Sequence, residues 1–221
     1  MARIVIKTMN ITDYFVQRGL KIVPEVTDKR FSMVDDGGCE TETGEFLYGF
    51  IRRLKPLRVI ETGTYSGISA MYMGKALQDN RFGQLWSLEY EQRHIDRSQK
   101  LWKQMGVDQV ITSIKTDTLK FTPEGKYELM FLDTEMHLRF HELVSYYPYL
   151  EEGGYFLVHD MPRSLCQGNF NPDHPDYKHW PVGELPEEFK TLLKERKLMP
   201  FYFGGARGMV GFYKVHKEDY I

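Results

Sequence analysis

Two cysteines among 221 residues, Cys39 and Cys166, stand at no metal-ligand spacing and can form one bridge at most. Neither a zinc ribbon nor a disulfide scaffold is encoded, and a reducing, cytoplasmic setting is the expectation. Long apolar runs are also missing. Nothing approaches the roughly 20 residues that span a bilayer, and MARIVIKTMNITDYF has too short an apolar run for a signal peptide. The sequon at Asn10 to Thr12 is then read as an accident of composition, since glycosylation needs secretion. There is no excess of charge: 29 Lys+Arg against 31 Asp+Glu leave a formal net charge of −2, which argues against a general nucleic-acid binder. Neither a nucleic acid nor a membrane is expected as a partner.

Two phosphate-binding signatures are absent where they would be sought. The stretch Leu57 to Leu77, LRVIETGTYSGISAMYMGKAL, runs from an apolar strand through a glycine turn into a helix, the layout of a ligand cradle. Its order, Glu61-Thr-Gly63-Thr-Tyr65-Ser66-Gly67, lacks the G-x-G-x-x-G of dinucleotide folds. Gly67 is followed by Ile68, so there is no Gly-Lys-Ser or Gly-Lys-Thr of a phosphate loop either.

What is present is an alternation. Strands are expected at 58–60, 84–89, 110–117, 127–133 and 155–160, separated by segments of helical periodicity, and each ends on a carboxylate: Glu61, Glu89, Asp117, Asp133 and Asp160. Parallel sheets bind ligands outside the carboxyl ends of their strands, so five acids would line one edge. Glu89 is placed to accept both hydroxyls of a ribose, with a solvated strand-end acid as the alternative. Asp117 is placed to cap the turn toward Pro123 and Gly125. Asp133 and Asp160 offer hard oxygens to magnesium or a similar ion, or are strand-end caps.

Flanking segments complete the layout. Residues 1–40 are expected as an extension, either a lid or a loosely packed terminus. A helix is expected to follow, with Leu47, Phe50, Ile51 and Leu54 on one face and the basic run Arg52, Arg53, Lys55 and Arg58 as its solvated end. The proline-broken stretch at about 162–184 carries Phe170, His174, Tyr177, His179 and Trp180 and reads as the aromatic wall of a substrate pocket. A zinc reading of His174 and His179 is weak. After a helix over Leu185 to Leu193, LMPFYF and MVGFYKV form two strands joined by GGARG, suited to a hairpin.

The motif E-x-G-x-x-x-G-x-S at Glu61 to Ser69 resembles the first motif of class I S-adenosylmethionine (SAM) dependent methyltransferases, in particular the small O-methyltransferases related to catechol O-methyltransferase. The resemblance spans about residues 41 to 215. It implies a Rossmann-like α/β sheet of seven strands, mostly parallel, closed by a C-terminal antiparallel hairpin and covered by helices on both faces. It also implies SAM held by Glu61, Gly63, Tyr65, Ser66, Gly67, Ser69, Glu89, Asp117 and Asp133, with the two glycines clearing the cofactor, Ser69 donating to its carboxylate and Asp117 contacting its adenine amino group.

By the same resemblance a divalent cation, magnesium first, would bind Asp133 and Asp160. Two departures limit the transfer: Met136 stands where catechol-type enzymes have lysine, and Met161 where they have asparagine. Metal-dependent sugar and antibiotic O-methyltransferases, with D-x-D and two adjacent ligands, match Asp133-Thr-Glu135 and His159-Asp160 more closely. On that reading Glu135 is the general base and His159 a third ligand, while His159 or His137 could take the proton instead. The expected function is methyl transfer from SAM to a hydroxyl of a small molecule. The alternatives are a SAM- or nucleoside-binding protein without chemistry, or another reaction on the same scaffold. Substrate identity is not written in the chain; nor is the oligomeric state, for which a homodimer stays open.

Overall fold

Along each central strand, successive side chains belong to different cores. Val59, Leu129, Phe131 and Leu157 join one buried cluster, while Ile60, Met130, Leu132, Phe156 and Val158 join the other. This period of two lets both faces of one sheet be buried, which a parallel sheet requires. The computed structural model describes residues 10–23, 32–34, 38–161, 163, 184–204 and 207–219.

The strands are β1 (Arg58–Thr62), β2 (Gln84–Glu89), β3 (Ile111–Lys115), β4 (Tyr127–Leu132), β5 (Leu150–His159), β6 (Leu198–Phe203) and β7 (Met209–Lys214). They form one sheet in the order β3-β2-β1-β4-β5-β7-β6, parallel from β3 through β5 and antiparallel at β7 and β6. The expected seven-stranded, mostly parallel sheet with a closing antiparallel pair is the observed one. The helices are α1 (Ile11–Val16), α2 (Thr41–Leu54), α3 (Ile68–Asn80), α4 (Gln92–Met105), α5 (Arg139–Tyr146) and α6 (Glu187–Lys194). Helices α1 to α4 contribute to the first cluster through Phe15, Leu47, Met71 and Trp102. Helices α5 and α6 cover the opposite face through Phe140, Leu143 and Phe189.

Strand ends differ in detail from the sequence expectation. β3 stops at Lys115 and β4 at Leu132, so Asp117 and Asp133 lie in the loops beyond. The described part of residues 10–40 is packed into the domain: Phe15 is fully buried and meets the Tyr72 ring edge-on at 4.9 Å. The basic run is spent locally: Arg52 bonds Asn80, and the Arg58 guanidinium lies over the Trp86 and Tyr127 rings. Apart from Arg163 and Glu184, the expected substrate loop with its aromatic and histidine side chains, and Cys166 with it, falls outside the described residues. No helix among the described residues is long and apolar enough to cross a membrane.

Candidate active site at the carboxyl ends of the sheet

The strand order reverses at β1, which has β2 on one side and β4 on the other. Loops leaving β1 and β4 therefore diverge, and a crevice opens between them. A cavity of about 820 Å³ occupies it, walled by Gly63 to Ser66, Glu89, Asp117, Asp133 to Arg139, Asp160 and Arg207. Its volume suits a drug-sized or nucleoside-sized ligand.

One wall is the turn from β1 into α3. Gly63 and Gly67 both have φ of +80°, a conformation that costs other residues about 1–2 kcal/mol. The structure gives these glycines a further reason besides the expected clearing of a cofactor. A Cβ on Gly63 would come within 2.4 Å of the Asp133 carbonyl oxygen, and one on Gly67 within 2.6 Å of both Ser98 and Trp102. They let β4 and α4 approach the turn. The Trp102 indole donates to the Gly67 carbonyl at 2.8 Å and pins the start of α3. Helix geometry leaves the N–H groups of Ile68, Ser69 and Ala70 without intrahelical acceptors, and Ile68 and Ser69 line the cavity.

Glu61 is not on the cavity wall. It is fully buried beneath the turn, where it accepts from Ser69 and, at 2.6 Å, from Ser87. Burial pushes its carboxyl up to about 8, against the opposing effect of the two serine bonds. Its role is to hold the turn. The Ser69 hydroxyl, expected to donate to a cofactor carboxylate, is spent on Glu61. The Ser66 hydroxyl is the group left over: it is 2% exposed, lines the cavity and has no hydrogen-bond partner among the described residues.

Opposite the turn, Glu89 accepts the Tyr65 and Glu91 backbone N–H groups at 2.9 Å each, one per carboxylate oxygen. Each oxygen keeps a lone pair for a ligand hydroxyl. Tyr65, with φ of +45°, sets its ring edge-on to His94 at 4.9 Å. Asp117 is a turn cap, accepting from the Leu119 N–H at 3.1 Å and pairing with Lys120 at 2.9 Å, while still bordering the cavity. Behind this wall the fully buried Glu142 of α5 accepts from Thr62 and Thr118, and burial raises its carboxyl above the ordinary range.

The other end of the cavity is an ionic cluster. Asp133 Oδ1 accepts from Arg139 Nη2 at 2.9 Å and contacts His159 Nδ1 at 3.0 Å. The other ring nitrogen, His159 Nε2, meets Glu40 at 2.9 Å. Asp160 has φ of +52°, and this left-handed twist brings its side chain beside that of the preceding residue rather than to the opposite face. Arg207 forks onto it at 2.6 and 2.7 Å.

Burial alone would depress the His159 imidazole. Asp133, Glu40 and Asp160 outweigh it and raise the ring to about 10. Burial would likewise raise Glu40, yet the bond to His159 and its charge lower it to about 2. Both ring nitrogens of His159 are thus engaged by carboxylates, Nδ1 by Asp133 and Nε2 by Glu40. To act as a base or a metal ligand, His159 would have to give up one of these two contacts. Glu135 and His137 stand on the exposed rim of the cavity, and neither side chain has a polar partner among the described residues. Because β4 ends before Asp133, the strand period that would aim Glu135 and Asp133 alike does not apply. Asp133 turns inward and Glu135 outward.

Two groups implied by the sequence can be tested against these residues. For SAM the fit is good: an unpartnered buried hydroxyl, free helix N–H groups, and a carboxylate with spare lone pairs face one cavity of suitable size. For a divalent cation, Glu40, His159 and Asp160 each bring a ligand atom within 4.8 Å of one another. Glu40 Oε1 and Asp160 Oδ1 have no hydrogen bond, but both face the Arg207 Nε, at 3.5 and 2.6 Å. An ion would have to displace that guanidinium. With Arg207 in place the donor set does not fit it.

Glu40, Arg139 and Arg207 were missed in the sequence. Arg207 alone carried a signal, an arginine isolated among glycines in GGARG.

Residues 60–161 match the family model described as a methyltransferase domain. Solved structures share the fold over most of the chain. The SAH-bound methyltransferase PaMTH1 of Podospora anserina has a TM-score of 0.66 at 19% identity, covering 98% of this chain and 99% of its own. The O-methyltransferase TomG of Streptomyces achromogenes, solved with SAM, has 0.65 at 17%, covering 82% and 83%. An O-methyltransferase of Bacillus cereus in complex with SAH has 0.63 at 11%, covering 96% and 94%.

Proposed function

We propose that this chain, whose fold is that of the class I SAM-dependent methyltransferases, transfers the methyl group of SAM to a hydroxyl of a small molecule. The observation that carries the reading is the pairing, across one cavity, of the α3 N-terminus and the unpartnered Ser66 hydroxyl with the Glu89 carboxylate. The first two offer donors to an amino-acid carboxylate, and the third offers acceptors to a ribose. When bound, SAM supplies an electrophilic methyl on a sulfonium.

The chain's own residues do the rest. Glu89 and the first turn of α3 orient the two ends of the ligand. The rim at Glu135 to His137 borders the side from which a second molecule would enter. The substrate oxygen must lose its proton as the carbon–oxygen bond forms. Glu135, at the rim and without a competing partner, is the group assigned to take it. No step is routed through a cation.

Calorimetry with SAM, SAH, NAD and ATP tests the cofactor. Micromolar SAM and SAH binding without NAD binding is expected. Tight NAD binding with no SAM binding would overturn the proposal.

A further inference from the structure

We propose that Arg207 is the resident cation of this site, closing the strand-end carboxylates to divalent metal, so that the protein binds its ligands without one. This goes beyond the methyltransferase reading and uses it only for the consequence in catalysis. Four contacts support it. Arg207 Nη2 donates to Asp160 Oδ2 at 2.7 Å, and its Nε is ion-paired with Asp160 Oδ1 at 2.6 Å, so one guanidinium faces both oxygens of the carboxylate. Its Nη1 donates to the Gly38 carbonyl at 3.1 Å. Its Nε lies 3.5 Å from Glu40 Oε1. Arg139 performs the same service for Asp133 at 2.9 Å and lies 3.6 Å from Asp160.

Placement is a property of the sheet. β7 runs antiparallel to β5, and the Met161 N–H donates to the Gly208 carbonyl at 3.3 Å, so the β6–β7 connection is fastened against the end of β5. Arg207 therefore arrives beside Asp160 on a held backbone, and its guanidinium forms part of the cavity wall. A metal at Asp160 would have to compete with a permanently charged group that already pairs with the carboxylate, is partly buried and is bonded to the chain on its far side. Glu40 Oε1 and Asp160 Oδ1, both without hydrogen bonds, face the Arg207 Nε. They are the oxygens a metal would claim once that nitrogen is removed.

The test is a thermal-shift series with MgCl₂ or MnCl₂ at millimolar concentration on the unmodified protein and on Arg207→Ala, with SAH calorimetry run in EDTA alongside. The unmodified protein is expected to show no metal-dependent shift and the same SAH affinity in EDTA as in magnesium. Arg207→Ala is expected to be less stable and to regain several degrees with manganese. A saturable metal shift of the unmodified protein, or an SAH affinity that falls tenfold in EDTA, would overturn the proposal; so would a folded Arg207→Ala that ignores manganese. If Arg207→Ala does not fold, Arg207→Lys, which keeps a cation at the site, must stay insensitive to metal. Failure of SAH to bind at all would refute the methyltransferase reading, whereas a metal response in the unmodified protein refutes this one.

Discussion

At the scale of the residue, each acid of the site acts according to what faces it. Glu89 keeps lone pairs toward the cavity, so Glu89→Ala should weaken SAM by one to two factors of ten, as expected for losing about 1.5–3 kcal/mol of hydrogen bonding to a charged group. Ser66→Ala should leave the ligand-free protein as stable as before, because its hydroxyl has no hydrogen-bond partner among the described residues. It should weaken SAM by a factor of about 2 to 10, read by the same calorimetry.

Glu135→Gln keeps shape and removes basicity; turnover should fall by about 10² to 10⁴ with SAM affinity unchanged. Near-normal turnover in that variant, with His137→Ala inactive, would move the base to His137.

Glu61 gives a pH signature. Its carboxyl is raised from 4.5 to about 8 on folding, so its contribution to stability is fully present below the unfolded value and is lost as pH rises through 8. Glu61→Gln cannot ionise and can still bridge Ser69 and Ser87. The melting temperature of the variant relative to the unmodified protein should therefore rise between pH 5 and pH 9. A constant difference across that range would show that Glu61 does not carry its proton in the folded state.

At the scale of the element, the turn between β1 and α3 is held from three sides: by β4 at Gly63, by α4 at Gly67, and from below by Glu61. Gly67→Ala combines an unfavourable φ with a clash against Ser98 and Trp102, neither of which can yield without moving α4. The expected loss is about 2–5 kcal/mol, or about 5–15 °C in melting temperature for a domain of this size. Trp102→Phe keeps most of the packing and removes only the bond to the Gly67 carbonyl. It should cost about 0.5–1.5 kcal/mol and loosen SAM along with it, since the α3 N-terminus is what that bond positions. A Trp102→Phe protein with unchanged SAM affinity would show that the helix start is fixed without it.

At the scale of the whole molecule, a ligand that bridges the loops after β1 and β2 stabilises the folded state by mass action. SAM at one hundred times its dissociation constant should contribute about 2.7 kcal/mol and raise the melting temperature by about 5–10 °C, with no such rise from NAD. The ionic cluster is likewise a property of the whole: Glu40 from before α2, Asp133 from the loop after β4, Arg139 from the start of α5, His159 from the end of β5, Asp160 from just beyond it, and Arg207 from before β7 meet in one place.

Local patterning determined much of this protein. The period of two in the strands, the helical spacing of Leu47 and Ile51, the glycine turn and the acids at or just past the strand ends are short-range features, and they point to alternating strands and helices with a ligand edge; the count of seven strands came with the family resemblance. The role of each acid was decided only by the tertiary structure. Glu61 and Glu89 are both strand-end glutamates, yet one is buried under two serines and the other faces the cavity. The second ring nitrogen of His159 meets Glu40 from 119 positions away, and Asp160 meets Arg207 across 47 positions. The physical reason is that the state of a carboxylate or an imidazole depends on burial and on the charges around it. Those neighbours come from strand order and loop closure, which no local stretch of chain contains.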